Sequence, residues 1–230
     1  MTASRPLGTV LVTGGASGLG AAVAAAVGAA GGRPVVLDVA ASDHPYSHVC
    51  DVSDTRAVEQ LVTEIAADVG GFDAVVTAAG IDRPAPFGDL AGDVWERIVA
   101  VNLLGTVAVV RAALPSLLKR HGRVVTIASS LGLRVFPDAT AYCASKFGVV
   151  GFSRALAIET KGRLGVTTVY PAGMDTRFFD GREDRYKPGA DAKLIDARDA
   201  AETILFALTR PQGVELREVI VCPEEEPSWP

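Results

Sequence analysis

Cysteine is scarce in this chain of 230 residues: the three present, Cys50, Cys143 and Cys222, form no C-x-x-C pair and no disulfide framework. They read as incidental thiols of a reducing compartment, and the expected location is cytoplasmic. Histidine is as rare, and His44, His48 and His121 lack metal-ligand spacing, so a structural zinc is not expected. No long Lys/Arg run appears and the formal net charge is -5, which argues against nucleic acid as the main partner. We read no apolar run of the roughly 18 residues that a membrane span needs. The segment Met1 to Leu7 is too short and polar for a signal peptide. There is no internal repeat and no interdomain linker.

What remains is an apolar, foldable chain. Hydrophobic residues make up 49% of it, and its length suits one domain, 1–230, with a real core. Apolar runs at Val10–Thr13, Pro34–Asp38, His48–Cys50, Asp73–Thr77, Arg123–Ala128, Val166–Tyr170 and Val219–Val221 read as strands buried on both faces of a parallel sheet. Helical patterns fill the gaps at Leu19–Gly31, Thr55–Val69, Asp93–Lys119, Ala141–Lys161 and Ala197–Thr209. This alternation implies a doubly wound α/β domain. Ser53 or Asp54 is placed to cap the helix at Thr55. Pro115 is expected to kink or end the long helix, and Gly122 to stop the chain before the next strand. The stretch 173–196 mixes glycine, aromatic and charged residues and reads as a substrate loop. The tail Pro223–Pro230 is expected to fray.

The first functional signal is the turn Thr13-Gly14-Gly15-Ala16-Ser17-Gly18-Leu19-Gly20, which follows a strand and opens a helix. Gly14, Gly18 and Gly20 fit the needs of a dinucleotide-binding turn: tight backbone angles, close approach to a pyrophosphate, and helix-on-strand packing. Ser17 and Leu19 stand where the helix N-terminus meets the phosphates. Asp38 ends the second strand, where a carboxylate accepts from ribose hydroxyls and repels a 2′-phosphate, so NAD is expected over NADP. Asp51 and Val52 after the third strand are placed to edge the adenine. Ala78, Ala79 and Gly80 end the fourth, where a ligand crosses the sheet's carboxyl edge.

The second signal is Tyr142 and Lys146, which share one helix face, with Ser129 at a strand end upstream. A free tyrosine titrates near about 10, and a neighbouring ammonium and a cationic nicotinamide would both favour the phenolate. Ser129 is placed to hold the substrate oxygen. Asn102 would sit buried mid-helix, and a water-linked path to Lys146 would supply partners for its amide. Cys143, one residue after Tyr142, is turned roughly 100° away and is not expected to be a nucleophile.

From Leu7 to Val221 the chain resembles the short-chain dehydrogenase/reductase superfamily, through the T-G-x-x-x-G-x-G turn at Thr13–Gly20, Ser129, and Y-x-x-x-K at Tyr142–Lys146. The resemblance implies a single Rossmann-like domain with a seven-stranded parallel sheet, and a homotetramer or homodimer joined through the helices carrying Asn102 and Tyr142. The Ala/Val-rich face of Val101–Ala113 suits such an interface or the core. The resemblance makes Asn102 the fourth catalytic residue, gives Lys146 the nicotinamide ribose as well, and adds Tyr142, Pro171, Gly173, Met174 and Thr176 to the cofactor contacts. Two motifs depart from the family: N-N-A-G is Thr77-Ala78-Ala79-Gly80 here, and P-G is Pro171-Ala172-Gly173. The expected function is an NAD(H)-dependent oxidoreductase interconverting a secondary alcohol and a ketone, a small molecule. The alternative is a dinucleotide-binding regulator or scaffold of the same fold, without turnover. Phe178, Phe179 and Tyr186 in the loop hint at an apolar or ring-bearing substrate.

Overall fold

Hydrophobic alternation gives way to nearly unbroken burial in the central strands, and a computed structural model of the protein, describing residues 5–226, shows why. The elements run β1 (Thr9–Thr13), α1 (Gly18–Ala29), β2 (Arg33–Asp38), β3 (Ser47–Val49), α2 (Thr55–Val69), β4 (Ala74–Thr77) and α3 (Gly92–Val99). A π-helical segment (Ala100–Gly105) joins α3 to α4 (Thr106–Lys119), followed by β5 (Arg123–Ile127), α5 (Thr140–Glu159) and β6 (Gly165–Pro171). Then come β7 (Met174–Asp175), β8 (Ile195–Asp196), α6 (Ala197–Leu208) and β9 (Glu218–Val221). Seven strands form one parallel sheet in the order β3-β2-β1-β4-β5-β6-β9. Helices cover both faces of this single Rossmann-like domain. Val58, Val62 and Ile65 of α2 pack with Val109 and Leu117 of α4 and Leu156 of α5 on one face. Leu19 and Val23 of α1 pack with Ala200 and Ile204 of α6 on the other.

Strand order reverses between β1 and β4, and that reversal fixes where a ligand sits. Thr13 and Thr77 pair in register at the carboxyl ends of these two strands. The glycine turn and the Ala78–Gly80 segment therefore leave the sheet side by side.

Local chemistry explains the helix boundaries. Asp54, rather than Ser53, caps α2, accepting from the Ala57 amide at 3.1 Å. At the other end Gly70 takes a left-handed φ of 78°. The stop after α4 is shared. His121, not a glycine, adopts the left-handed conformation, with φ 50°. Gly122 is required for space, since a Cβ there would lie 2.7 Å from Leu117 Cδ2 and 2.9 Å from the Asp73 carbonyl oxygen.

Two expectations need correction. Pro115 does not end its helix, which continues to Lys119; the departure from α-geometry falls instead at Ala100–Gly105, around Asn102. The Gly92–Lys119 helix is also long and apolar enough to cross a membrane, contrary to our reading of the runs. Half of its most apolar window is buried within the fold. The substrate loop 173–196 is anchored by β7 and β8, which pair at its base. Of the tail, Pro223–Glu226 forms a turn closed by the Glu226 amide on the Pro223 carbonyl at 3.2 Å. The rest of the tail lies outside the described residues, as do the first four positions.

Candidate active site

The glycine turn is shaped for close approach. Gly14 has φ 68°, and a Cβ there would lie 2.8 Å from the Ala79 backbone. A Cβ on Gly20 would collide with the Gly14 carbonyl, and Gly18 has φ 52°. The Gly14 amide donates to the Leu37 carbonyl at 2.8 Å, and the Ala79 amide to Thr13 Oγ1 at 3.1 Å. The N-H groups opening α1 have no side-chain cap from Ser17, and its first turn carries no acidic residue. A dipole end left free in this way accepts an anion. The turn therefore fits the pyrophosphate of a dinucleotide.

The remaining cofactor candidates surround this turn. Asp38 holds the rim, accepting from the Ala16 and Ala40 amides, each at 2.9 Å. Asp51 lies at the next strand end and bonds Arg97 at 2.7 Å and the Ser53 amide at 2.9 Å. Burial pushes the Asp51 carboxyl up, but the Ser53 and Arg97 bonds outweigh it and hold the group below its ordinary value. Val52 is buried and would meet any Cβ on Gly105 at 2.8 Å, so its place is fixed by backbone contact with the π-helical segment. Thr176 stands across the turn, 3.5 Å from where a Gly18 Cβ would lie. Met174 packs beneath, with the α1 and α6 side of the core. Pro171 ends β6, and the Ala172 amide donates to the Val221 carbonyl at 2.9 Å. A Cβ on Gly173 would lie 2.8 Å from Leu194 Cδ2, so the leucine tip would have to move aside for a side chain.

The catalytic candidates converge one strand further along. Ser129 follows β5 and is buried. Its Oγ accepts from the Leu131 amide at 3.2 Å, and its hydroxyl favours the Tyr142 phenolate. Lys146 is buried one helical turn from Tyr142, with Nζ 5.5 Å from the Tyr142 ring centre. Its ammonium donates to the Ile127 carbonyl at 2.8 Å. Burial lowers the Lys146 pKa to about 8, with the Asp82 carboxylate opposing the fall. Burial raises the Tyr142 phenol well above its ordinary value, outweighing the Ser129 hydroxyl, which favours the phenolate. Desolvation is thus the largest influence that the protein's own groups exert on this phenol.

Asn102 is buried as expected, yet protein groups satisfy its amide. Oδ1 accepts from the Ile81 amide at 2.8 Å, and Nδ2 donates to the Ile81 carbonyl at 2.9 Å and to Ser145 Oγ at 3.0 Å. The π-helical segment sets this register, a recurrent device at functional sites. A Cβ on Gly80 would lie 3.5 Å from Asn102 Oδ1 and 3.6 Å from Lys146 Nζ, so the three residues meet at one point.

Sequence reasoning missed Asp82 and the role of Arg182. The two form an ion pair at 3.0 Å, with side chains 7% and 10% exposed. Arg182 lies over Phe178 at 4.9 Å and Phe179 at 4.8 Å, while the Phe178 ring sits 5.8 Å from that of Tyr142. The aromatic rings of the loop are thus covered by a cation. A charge two residues beyond Gly80, at a strand end facing the site, was the available signal for Asp82.

A family model described as short chain dehydrogenase matches residues 8–187. Glycine betaine reductase of Emericella nidulans is 33% identical over 94% of this chain, which spans only 19% of that longer protein. D-threitol dehydrogenase of Mycolicibacterium smegmatis is 35% identical over 80% of this chain and 77% of its own. An alcohol dehydrogenase from Thermococcus sibiricus, solved with 5-hydroxy-NADP, superposes with a TM-score of 0.82 at 21% identity, over 93% of this chain and 95% of that one. With the glycine turn at the β1/β4 switch and Ser129, Tyr142 and Lys146 gathered beside it, the chain belongs to the short-chain dehydrogenases, oxidoreductases that bind a nicotinamide dinucleotide.

Proposed function

We propose that the protein interconverts a secondary alcohol and a ketone, with NAD(H) preferred over NADP(H). The carrying observation is the convergence of Tyr142, Ser129 and Lys146 at the carboxyl end of β5, next to the glycine turn. Bound nicotinamide supplies the hydride acceptor or donor. In oxidation Tyr142 takes the proton from the substrate hydroxyl, and in reduction it returns one to the carbonyl oxygen. Ser129 donates a hydrogen bond to that oxygen as charge develops on it. Lys146, charged at neutral pH, supplies positive potential beneath the phenol and a donor for the ribose. Asn102 fixes the Ile81 backbone and, with Gly80, the space beside Lys146 Nζ.

The NAD preference rests on Asp38 at the turn's rim, and on the absence of Arg or Lys from Gly14–Gly20 and from Val39–Asp43. A 2′-phosphate there would meet a carboxylate with no cation to offset it. The similarity to D-threitol dehydrogenase puts a polyol among the first substrates to try. Cytoplasmic residence and a homodimer or homotetramer complete the proposal. Val101, Ala108, Val109 and Ala113 are buried in the core, so an interface on these helices would use the exposed Leu104, Phe147 and Ile158.

The test is nicotinamide absorbance with purified protein, NAD⁺ or NADP⁺, and a panel of secondary alcohols. Turnover with NAD⁺ supports the reading. Tight NADH binding without turnover of any alcohol contradicts it.

A further inference from the structure

The Asp82–Arg182 pair flanks Tyr142 but itself takes up neither the proton nor the hydride. It joins the segment after β4 to the loop between β7 and β8, and both charges act on Tyr142. A buried ion pair repays its desolvation only when its remaining hydrogen-bonding capacity is filled. Here it is not. One guanidinium nitrogen bonds Asp82, while Arg182 Nε is buried without a partner among the described residues. The guanidinium lies over two aromatic faces, Phe178 and Phe179, which hold it in place beside Tyr142.

A spare donor beside a carboxylate acceptor matches a hydroxyl group, which both donates and accepts. An alkyl substituent would leave the buried N-H unpaired. A carboxylate substituent would gain Arg182 but face Asp82. Two neighbouring hydroxyls, one on each charge, satisfy the pair without adding charge to a buried site.

We propose that Asp82 and Arg182 are the specificity-determining pair of the substrate pocket, and that the substrate is an uncharged vicinal diol or polyol whose hydroxyl next to the reacting carbon they hold. This inference rests on the dehydrogenase reading above.

The test compares butan-2-ol with butane-2,3-diol and butane-1,2,3,4-tetrol in wild type and in the double variant Asp82→Leu/Arg182→Met. Removing both charges together avoids stranding either one, and such paired replacements are commonly tolerated. Wild type should favour the hydroxylated compounds by roughly tenfold or more in kcat/KM, because the polar groups reject an analogue lacking the hydroxyl. The double variant should lose that ratio through a raised KM for the diol and tetrol. If wild type shows no preference, or if the variant slows all three alcohols in parallel, the pair merely fastens the loop and the proposal fails. Saturation-transfer NMR with the same compounds, run with saturating NADH, reads binding apart from turnover. If no alcohol reacts, the dehydrogenase reading falls. Diol binding that is lost in the variant would still uphold the pair's role, and equal binding would overturn it.

Discussion

Replacing Lys146 with methionine probes the electrostatics of the site without any substrate. The ammonium is buried, its pKa is about 8 in the fold, and its ordinary value is 10.5. Between these values the unfolded chain holds a proton that the folded chain has released, so wild-type stability rises with pH. Below pH 8 both states are protonated and the cost of burying the charge is fully present. From pH 7 to 10 the linkage amounts to about 2.5 kcal/mol. Lys146→Met has no such titration. Losing the bond to the Ile127 carbonyl offsets its stability by a pH-independent amount and leaves the slope untouched. Urea unfolding of both proteins from pH 7 to 10 gives the difference curve directly, and groups common to both cancel. Burial pushes the Tyr142 titration in the fold above this range, and its titration in the unfolded chain is common to both proteins. The wild-type minus variant stability should climb by about 2 to 3 kcal/mol over that range. A flat difference would mean that Lys146 keeps an ordinary pKa, and the account of a dry, lysine-floored site would be wrong.

Further outcomes follow from the same geometry. Asp38→Ala should raise the ratio of NADP to NAD utilisation, read from kcat/KM with each cofactor; an unchanged ratio would remove Asp38 from the ribose site. Gly20→Ala drives a methyl into the Gly14 carbonyl. It should cost roughly 1 to 3 kcal/mol of stability and weaken NADH binding measured by fluorescence. Asn102→Ala strips partners from the Ile81 amide and carbonyl. It should lower unfolding free energy by about 1 to 3 kcal/mol, and a neutral result would show that solvent replaces the amide.

Much of this was legible in the sequence because the physics is local. Apolar runs between helical patterns specify a buried parallel sheet, and Thr55–Val69 emerged as a helix with the bounds its pattern gave. The turn at Gly14–Gly20 could be read because glycine is demanded there by φ and by the backbone crossing at Ala79. What could not be read depends on contacts distant in sequence. The partners of Asn102 are Ile81 and Ser145, brought together by a π-helical register that periodicity does not show. Asp82 and Arg182 lie 100 positions apart, and nothing in either segment announces the other. The burial of Tyr142 was hidden for a related reason: proximity to Lys146 is visible in the spacing, whereas packing by Phe178 and the loop is not. The Ala/Val-rich face of Val101–Ala113 fitted either core or interface, and the packing of α4 on the sheet decided it.

Tyr142→Phe tests the central claim most directly. NADH formation at about 340 nm, followed across secondary alcohols that include diols and polyols, should fall by roughly 10²-fold or more in the variant, with NADH binding retained. Undiminished turnover in Tyr142→Phe would contradict the proton-transfer role and the function built on it.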